Sequence, residues 1–229
     1  VIYDYEPIRP IEGEIDHYDA VVITAFPKSI VAAYVRAIKD AGLIPIALEL
    51  ESQAIMRAAA PGLGAGDAGI VIDMGRSRTS VILFAGGSIV FTTTIPVGGY
   101  TIDTEIARVL GVPASEAEEL KKKNGFAKDA YDGKVFLAIA PSADVIVAEL
   151  RRVISYYQEK ITHVHGGGRV VNKILLSGGG ANIPGFDAYL AGAVRVPVVF
   201  ADPFAGITRT MSDPIPPLPR GEALVFTAA

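Results

Sequence analysis

An acidic residue at the end of an apolar run, followed by a glycine and small polar residues, is the first segment with the chemistry of a ligand site. It spans residues 73–79, DMGRSRT, between two runs that predict β-strands. Gly75 allows the backbone to approach a ligand closely, and successive amides in such a turn form an anion-binding nest. Asp73 has the carboxylate that hydrated Mg²⁺ prefers. The pattern predicts a phosphate and magnesium site, with an ordinary hairpin turn as the alternative.

Three consecutive glycines form the second candidate. Residues 178–180 and the nearby Asn182 join an apolar run, 173–177, to a helix expected to begin at Pro184. The carboxyl end of a strand and the start of the next helix are common ligand positions in open α/β sheets. The spacing matches neither the phosphate loop G-x-x-x-x-G-K-[ST] nor the dinucleotide motif G-x-G-x-x-G. A tight strand-to-helix turn remains the alternative interpretation.

The third candidate is a pair of opposite charges, Glu118 and Lys121, within the sequence AEELKKKNG. Residues three apart share a helix face, so the two side chains could contact one ligand, although a solvated helix face explains them equally well. His163 and His165 are also closely paired. Without a third ligand nearby they do not indicate a metal site.

Composition limits the class of protein. The chain has 229 residues, of which 50% are hydrophobic and 20% charged, with a net charge of −4. This length predicts one or two domains with a sizeable core, and the apolar fraction excludes a mainly disordered chain. The mildly acidic balance argues against nucleic acid as a partner. Cysteine is absent, which excludes disulfides and thiolate chemistry. No apolar run approaches the roughly 18 residues of a membrane-spanning helix.

The first part of the chain predicts strands and helices in alternation. Residues 1–5 and 19–26 are typical of strands, a helix capped by Ser29 should end near Gly42, and a further strand is expected over 43–48. Two strands separated by one helix of this length suggest a βαβ unit, and a further helix is expected over 51–60. The glycine-rich segment PGLGAGD that begins at Pro61 indicates a domain boundary. The sequence therefore predicts two units, residues 1–66 and 67–229.

The second part begins with three short apolar runs joined by tight links. Runs at 69–73, 79–84 and 88–95 predict an antiparallel meander. The remaining predictions are, in order, a helix capped by Thr101 or Asp103 and ending at Leu110, helices over 113–123 and 143–162, a strand over 173–177, a helix over 184–193, a strand over 196–200 and a Pro-rich connector at 214–219.

Taken together and in this order, the motifs resemble those of the actin/Hsp70 nucleotide-binding superfamily. The 73–79 turn resembles its second phosphate motif, the glycines its adenosine motif, and the Glu118/Lys121 pair the helix that contacts ribose and adenine. Residues 51–54, ESQA, resemble the connecting motif, where Glu51 would orient a water. The resemblance implies Glu51 as catalytic residue, Asp73 as metal ligand, and a cofactor-binding set of Gly75, Arg76, Ser77, Arg78, Thr79, Glu118, Lys121, Gly178, Gly179, Gly180 and Asn182.

Within that superfamily, the chain is most similar to the PilM family, FtsA-like proteins of type IV pilus assembly. The segments that carry this likeness are TIPVGG at 94–99, EIAR at 105–108, AEELK at 117–121, ELRR at 149–152 with YY at 156–157, and LSGGGA at 176–181. The likeness implies an α/β, actin-like (ribonuclease H-like) fold. Residues 1–66 would be a partial first lobe, and 67–229 a complete second lobe with a mixed five-stranded sheet.

The same likeness implies a function. Such a protein binds ATP with Mg²⁺ between its lobes, at most hydrolyses it weakly, and works in the cytoplasm at the periphery of the inner membrane. It would hold the cytoplasmic N-terminal tail of a PilN-like membrane protein and help couple pilus assembly motors to the platform. ATP would act mainly as a conformational ligand.

Two departures from the family pattern matter. The first phosphate motif is not present, and Arg76 and Arg78 stand where relatives often have small residues and a threonine. We therefore expect this chain to bind ATP weakly or not at all and to be prone to self-association through an exposed sheet edge. The alternatives are an FtsA-like membrane tether of cell division, a sugar or acetate kinase, for which no substrate-side base is visible, and a scaffold independent of nucleotide.

Overall fold

The computed structural model describes residues 1–7, 21–60, 67–161 and 170–204. The expected domain boundary at 61–66, the pair His163 and His165, and the Pro-rich segment 214–219 lie outside these ranges. The described strands are β1 Ile2–Pro7, β2 Val21–Phe26, β3 Ala68–Met74, β4 Thr79–Ala85, β5 Ser88–Ile95, β6 Lys173–Ser177 and β7 Val198–Phe200. The described α-helices are α1 Lys28–Asp40, α2 Glu51–Ala59, α3 Gly99–Leu110, α4 Ala114–Asn124, α5 Lys134–Tyr156 and α6 Phe186–Val194.

The centre of the fold is a mixed five-stranded sheet in the order β5-β4-β3-β6-β7. Strands β3, β4 and β5 form the expected antiparallel meander. Strand β6 pairs in parallel with β3, and β7 pairs in parallel with β6. All seven residues of β3 are buried, since helices cover both faces of the sheet. Such a strand is expected to be an unbroken apolar run. The predicted mixed five-stranded sheet is therefore confirmed.

Two apolar cores, one on each face, hold the sheet between helices. Ile70 and Ile72 belong to the larger core, with buried residues of α3, α5 and α6. Val71, which points to the opposite face because strand side chains alternate, packs with Ile55 and Ala59 of α2 in the smaller core. This arrangement fixes both the start of α2 and the start of α3 next to the same end of β3.

The N-terminal segment is built differently from the prediction. Strands β1 and β2 pair with each other in antiparallel register, with Ile2 opposite Phe26, which confirms both strands. The prediction of a strand over 43–48 is wrong, and so is the βαβ unit that depended on it. Residues 43–50 have no regular structure, and Ile44 and Ile46 are 87% and 98% exposed. A strand forms only where a neighbour takes up its backbone hydrogen bonds, and none of the described strands lies beside this segment.

Helix ends were predicted less well than helices. The residue before α1 is Pro27, and Ser29 lies inside the first turn without a capping bond. Helix α3 begins at Gly99 after Gly98, so neither Thr101 nor Asp103 is the cap residue. Helix α5 starts well before residue 143 and includes Pro141. No helix among the described residues is long and apolar enough to cross a membrane.

Candidate functional site

A pocket of about 520 Å³ opens beside the carboxyl ends of β3 and β6. Four segments form its wall: the turn after β3, the start of α3, one face of α4 and the glycine turn after β6. The lining residues are Gly75, Arg76, Gly99, Tyr100, Asp103, Glu118, Lys121, Lys122, Gly179, Gly180, Asn182 and Ile183. The three motifs singled out in the sequence therefore meet at one pocket.

The turn after β3 is braced by the first turn of α3. Gly75 N donates to the carbonyl oxygen of Arg78 at 2.9 Å and closes the turn. Gly99 N donates to Gly75 O at 3.0 Å, and Tyr100 N donates to Arg76 O at 2.8 Å. These two amides at the start of α3 are engaged by the turn. An anion in the pocket would therefore depend on side-chain cations more than on this helix N-terminus.

Three residues of the turn have distinct surroundings. The Arg76 guanidinium lies 5.5 Å from the centre of the Tyr100 ring, a cation–π distance that holds its charge at the pocket wall. Ser77 is exposed and does not line the pocket. The fully buried Thr79 hydroxyl donates to Val97 O at 2.7 Å. Thr79 therefore fixes the turn from below.

Lys121 is held by an ion pair that the sequence analysis did not foresee. Its Nζ lies 2.7 Å from Asp103 Oδ1, and the two side chains form an ion pair. The ammonium also donates to Gly99 O at 3.3 Å. The Lys121 and Asp103 side chains are only 11% and 12% exposed. The pair joins α4 to α3 and sets the direction of Lys121 along the pocket.

Glu118 and Lys122 form a second, exposed pair on the same helix. Lys122 Nζ lies 3.0 Å from Glu118 Oε1. The hydrogen bond and charge of Lys122 lower the pKa of Glu118 below its ordinary value. Both residues line the pocket with Lys121, as the i, i+3 spacing predicted for Glu118 and Lys121. The lining side chains include three cations and two acids, a small positive excess that suits an anionic ligand.

The three glycines have different roles. Gly178 has φ of 79°, and a Cβ there would lie 2.6 Å from Met74 O, so this position needs glycine for the turn. A Cβ on Gly180 would meet the Met74 side chain and lie 2.9 Å from Met74 O. Gly179 has nothing within 4 Å of its Cβ position. Only Gly179 therefore offers bare backbone to the pocket without a packing requirement of its own.

Asp73, the next-to-last residue of β3, has a buried carboxyl group. It is 6% exposed, and its Oδ1 has no hydrogen-bond partner among the described residues. Burial raises the pKa of Asp73, and the nearby charge of Glu51 adds to that rise. Two neighbours lower the pKa of Asp73 in turn. One is the Ser177 hydroxyl, whose contact with the carboxyl group falls outside standard hydrogen-bond geometry, and the other is the positive charge of Arg78.

A carboxylate oxygen without a hydrogen-bond partner is suited to coordinate Mg²⁺. This ion usually binds only one or two carboxylates, because water molecules fill most of its coordination positions. Within the described ranges no group of three or more His, Asp or Glu side chains forms a fuller metal cluster.

Glu51 is the first residue of α2. It does not line the pocket, and its side chain pairs with the turn that follows β3. Arg78 Nη2 donates to Glu51 Oε2 at 2.8 Å, and both side chains are about half exposed. The charges of both residues act on the pKa of Asp73, which Glu51 raises and Arg78 lowers. Glu51, Arg78 and Asp73 thus form a charged group at the end of β3, next to the pocket.

The structure brings most of the sequence-derived site together. The predicted residues that line the pocket are Gly75, Arg76, Glu118, Lys121, Gly179, Gly180 and Asn182, and those that do not line it are Glu51, Asp73, Ser77, Arg78, Thr79 and Gly178. The lining residues that the sequence analysis missed are Gly99, Tyr100, Asp103, Lys122 and Ile183. The pair Gly98-Gly99 before a helix was the available signal, because a Cβ on Gly98 would lie 2.5 Å from Arg76 O.

Comparison with known protein families settles the family. Residues 1–217 match the family model described as type IV pilus assembly protein PilM. The chain belongs to the PilM family. Members of the FtsA cell-division family are related at low identity. FtsA of Borreliella burgdorferi is 26% identical over 162 residues, which is 63% of this chain and 39% of that protein.

FtsA of Escherichia coli K12 is 27% identical over 139 residues, which is 52% of this chain and 33% of that protein. This PilM-family chain therefore spans between a third and two fifths of the length of these curated relatives.

Solved structures confirm the predicted actin-like α/β fold. A PilM–PilN type IV pilus biogenesis complex matches with a TM-score of 0.74 at 22% identity, over 99% of this chain and 64% of that one. MreB5 of Spiroplasma citri bound to ADP matches with a TM-score of 0.64 at 17% identity, over 78% of this chain and 62% of that one. The PilM-family chain thus shares its fold with proteins that include MreB5 bound to ADP.

Proposed function

We propose that this PilM-family chain forms one side of an ATP site in a cytoplasmic protein of type IV pilus assembly. The observation that carries the proposal is the pocket, in which the turn after β3, the Glu118/Lys121 face of α4 and the glycine turn converge. Each of these segments resembles a nucleotide-contacting motif of the actin superfamily. The pocket's volume of about 520 Å³ lies within the usual range for small-molecule sites.

The charges of the pocket suggest how the nucleotide would lie. Arg76 and Lys122 place cations where phosphate oxygens can accept charge-assisted hydrogen bonds. Glu118 and Lys121 would contact ribose and adenine, and Gly179 would let the ring lie against the backbone. The position of Lys121 is already fixed by Asp103, so little ordering of that side chain is needed on binding.

Asp73 would hold the Mg²⁺ that accompanies ATP. Magnesium neutralises phosphate charge when bound, and a carboxylate with an unpartnered oxygen is suited to receive it. Glu51, near Asp73 at the start of α2, would orient a water molecule. Any hydrolysis would be slow, and ATP would act mainly by stabilising one conformation.

The partner that we propose is the cytoplasmic N-terminal tail of a PilN-like inner-membrane protein. Support comes from membership of the PilM family and from the likeness of 99% of the chain to PilM in a PilM–PilN complex. The protein would then act at the cytoplasmic periphery of the inner membrane, between the pilus platform and its assembly motors.

Calorimetric titration of the native full-length protein with Mg·ATP tests the nucleotide site. The informative variant is Gly179→Leu, which fills the pocket from a position with open space. The matched control is Gly192→Leu in α6, where a Cβ also meets nothing within 4 Å. We expect binding by the wild type and by the control and loss of binding in Gly179→Leu, with similar melting temperatures. Equal affinity in all three would reject the site.

A scaffold that works without nucleotide is the second candidate. The Arg78–Glu51 and Lys121–Asp103 pairs satisfy site charges without any ligand. Absence of ATP binding by the native protein, together with capture of a synthetic PilN-like tail peptide, would favour this scaffold over the nucleotide-dependent function.

A further inference from the structure

Asp73 and Ser177 lie directly opposite each other on neighbouring strands. Strands β3 and β6 run parallel, and Asp73 pairs in register with Ser177. Parallel strands end at the same edge of a sheet, and residues in register point to the same face. Asp73 is the next-to-last residue of β3, and Ser177 is the last residue of β6. Their side chains therefore stand together where the pocket and the glycine turn begin.

Both side chains are buried, and each has a polar atom without a partner. Asp73 is 6% exposed and Ser177 is fully buried. Neither Asp73 Oδ1 nor Ser177 Oγ has a hydrogen-bond partner within the part of the chain that the structure describes. Burying an unpaired polar atom is unfavourable. Two such atoms on adjacent strands indicate a ligand or a rearrangement that would satisfy both.

A nearby hydroxyl shows what a structural role looks like at the same sheet edge. Thr79 is also fully buried, but its Oγ1 donates to Val97 O at 2.7 Å. That bond ties the turn to the end of the meander. Ser177 has no such partner, and the residue after it, Gly178, would place a Cβ 2.8 Å from Asp73 Oδ1. The carboxylate thus faces the backbone that follows Ser177.

We propose that Ser177 is a positioning residue of the magnesium site, whose hydroxyl orients the Asp73 carboxylate toward the cation that accompanies the nucleotide. This inference rests on the proposed function. A serine hydroxyl has one hydrogen to donate and two lone pairs. A hydrogen bond donated to one Asp73 oxygen fixes the plane of the carboxylate and leaves the other oxygen for the metal. Groups behind a ligand commonly set its orientation and affinity in this way.

The test compares nucleotide affinity with and without magnesium in the native full-length protein. ATP is titrated in Mg²⁺ and again in EDTA for the wild type, Ser177→Ala, Ser177→Thr and the matched control Ser142→Ala, a buried serine in α5 that is 8% exposed. Ser177→Ala should lower the affinity for Mg·ATP about tenfold, or about 1.4 kcal/mol, and leave the affinity for metal-free ATP within twofold. Ser177→Thr, which keeps the hydroxyl, should restore most of the magnesium dependence.

The double variant Asp73→Asn/Ser177→Ala provides the decisive comparison. If Ser177 acts through Asp73, its removal should have no further effect once the carboxylate is gone. Equal loss in Mg²⁺ and EDTA, or an undiminished loss in the Asp73→Asn background, would overturn the positioning role while leaving the ATP site intact. A wild-type protein that binds no ATP in either buffer would overturn the proposed function, and the role of Ser177 with it.

Discussion

The side chains of Arg78 and Glu51 form an ion pair, with Nη2 and Oε2 2.8 Å apart. Arg78 belongs to the turn after β3, and Glu51 begins α2 on the other face of the sheet. The pair therefore links the turn beside the pocket to a helix that the larger core does not contact. Because both side chains are about half exposed, the contact contributes little to stability, about 1 kcal/mol or less.

Replacing Glu51 should strengthen nucleotide binding. Glu51→Gln removes a negative charge near the turn where we propose that the phosphates bind, and it frees Arg78 from its partner. We expect the affinity for ATP to rise several-fold, since exposed pairs are worth roughly 0.2–1 kcal/mol, with the melting temperature nearly unchanged. Calorimetry at low salt measures this. Glu49→Gln, which removes the acid of the nearby Arg57 pair, is the control, and an equal rise in that variant would contradict the explanation.

The glycine turn should respond differently at each position. Gly179→Leu should abolish ATP binding and keep the fold, because its Cβ position is open. Gly180→Val should lower the melting temperature even without ligand, because its side chain would meet Met74. Overpacking of this kind costs roughly 1–3 kcal/mol. Denaturant unfolding of the ligand-free variants separates the two effects. Equal stability of both variants would show that the packing against Met74 is not limiting.

Asp73→Asn should stabilise the ligand-free protein at neutral pH. Burial raises the pKa of Asp73 above the ordinary 3.8, so the folded state holds this proton more tightly than the unfolded chain. The contribution of Asp73 to stability then falls as pH rises from 3.8 through the raised pKa. The advantage of the Asn variant should be present at pH 7 and disappear below pH 3.8.

Urea unfolding across this pH range measures the effect, with the exposed Asp40→Asn in α1 as control. An advantage that grows on acidification would contradict the assignment. In the same variant, magnesium-dependent ATP binding should be lost.

Breaking the Lys121–Asp103 pair should destabilise the fold. Both side chains are nearly buried, and removing one partner of such a pair leaves an uncompensated charge, at a cost of roughly 3–5 kcal/mol. We expect Lys121→Met to unfold at lower urea concentration, and the double variant Lys121→Met/Asp103→Leu to recover most of the loss. The exposed Lys123→Met serves as the control. A single variant as stable as the wild type would show that the pair is only a surface contact.

The parts of the site that could be predicted from the sequence are those that depend on residues close together in the chain. The turn at 73–79 follows from a glycine and small residues between apolar runs, and the position of Lys121 relative to Glu118 follows from helical spacing. The contact of Lys121 with Asp103 joins two helices and has no local signal. The segment 43–48 shows the converse, since its apolar residues suit a strand but no described strand pairs with it. Local pattern thus predicted elements and motifs, whereas pairings depended on tertiary neighbours.

The parallel pairing of β3 with β6 has a consequence for folding kinetics. Asp73 and Ser177 are neighbours in the sheet but are separated by about one hundred residues of chain, and contacts of such long range form late and slowly. The antiparallel meander β3-β4-β5 is local and has no such delay. A refolding experiment should therefore show sheet structure before the pocket exists. Newly synthesised protein would remain unable to bind a ligand there until β6 has left the ribosome and joined the sheet.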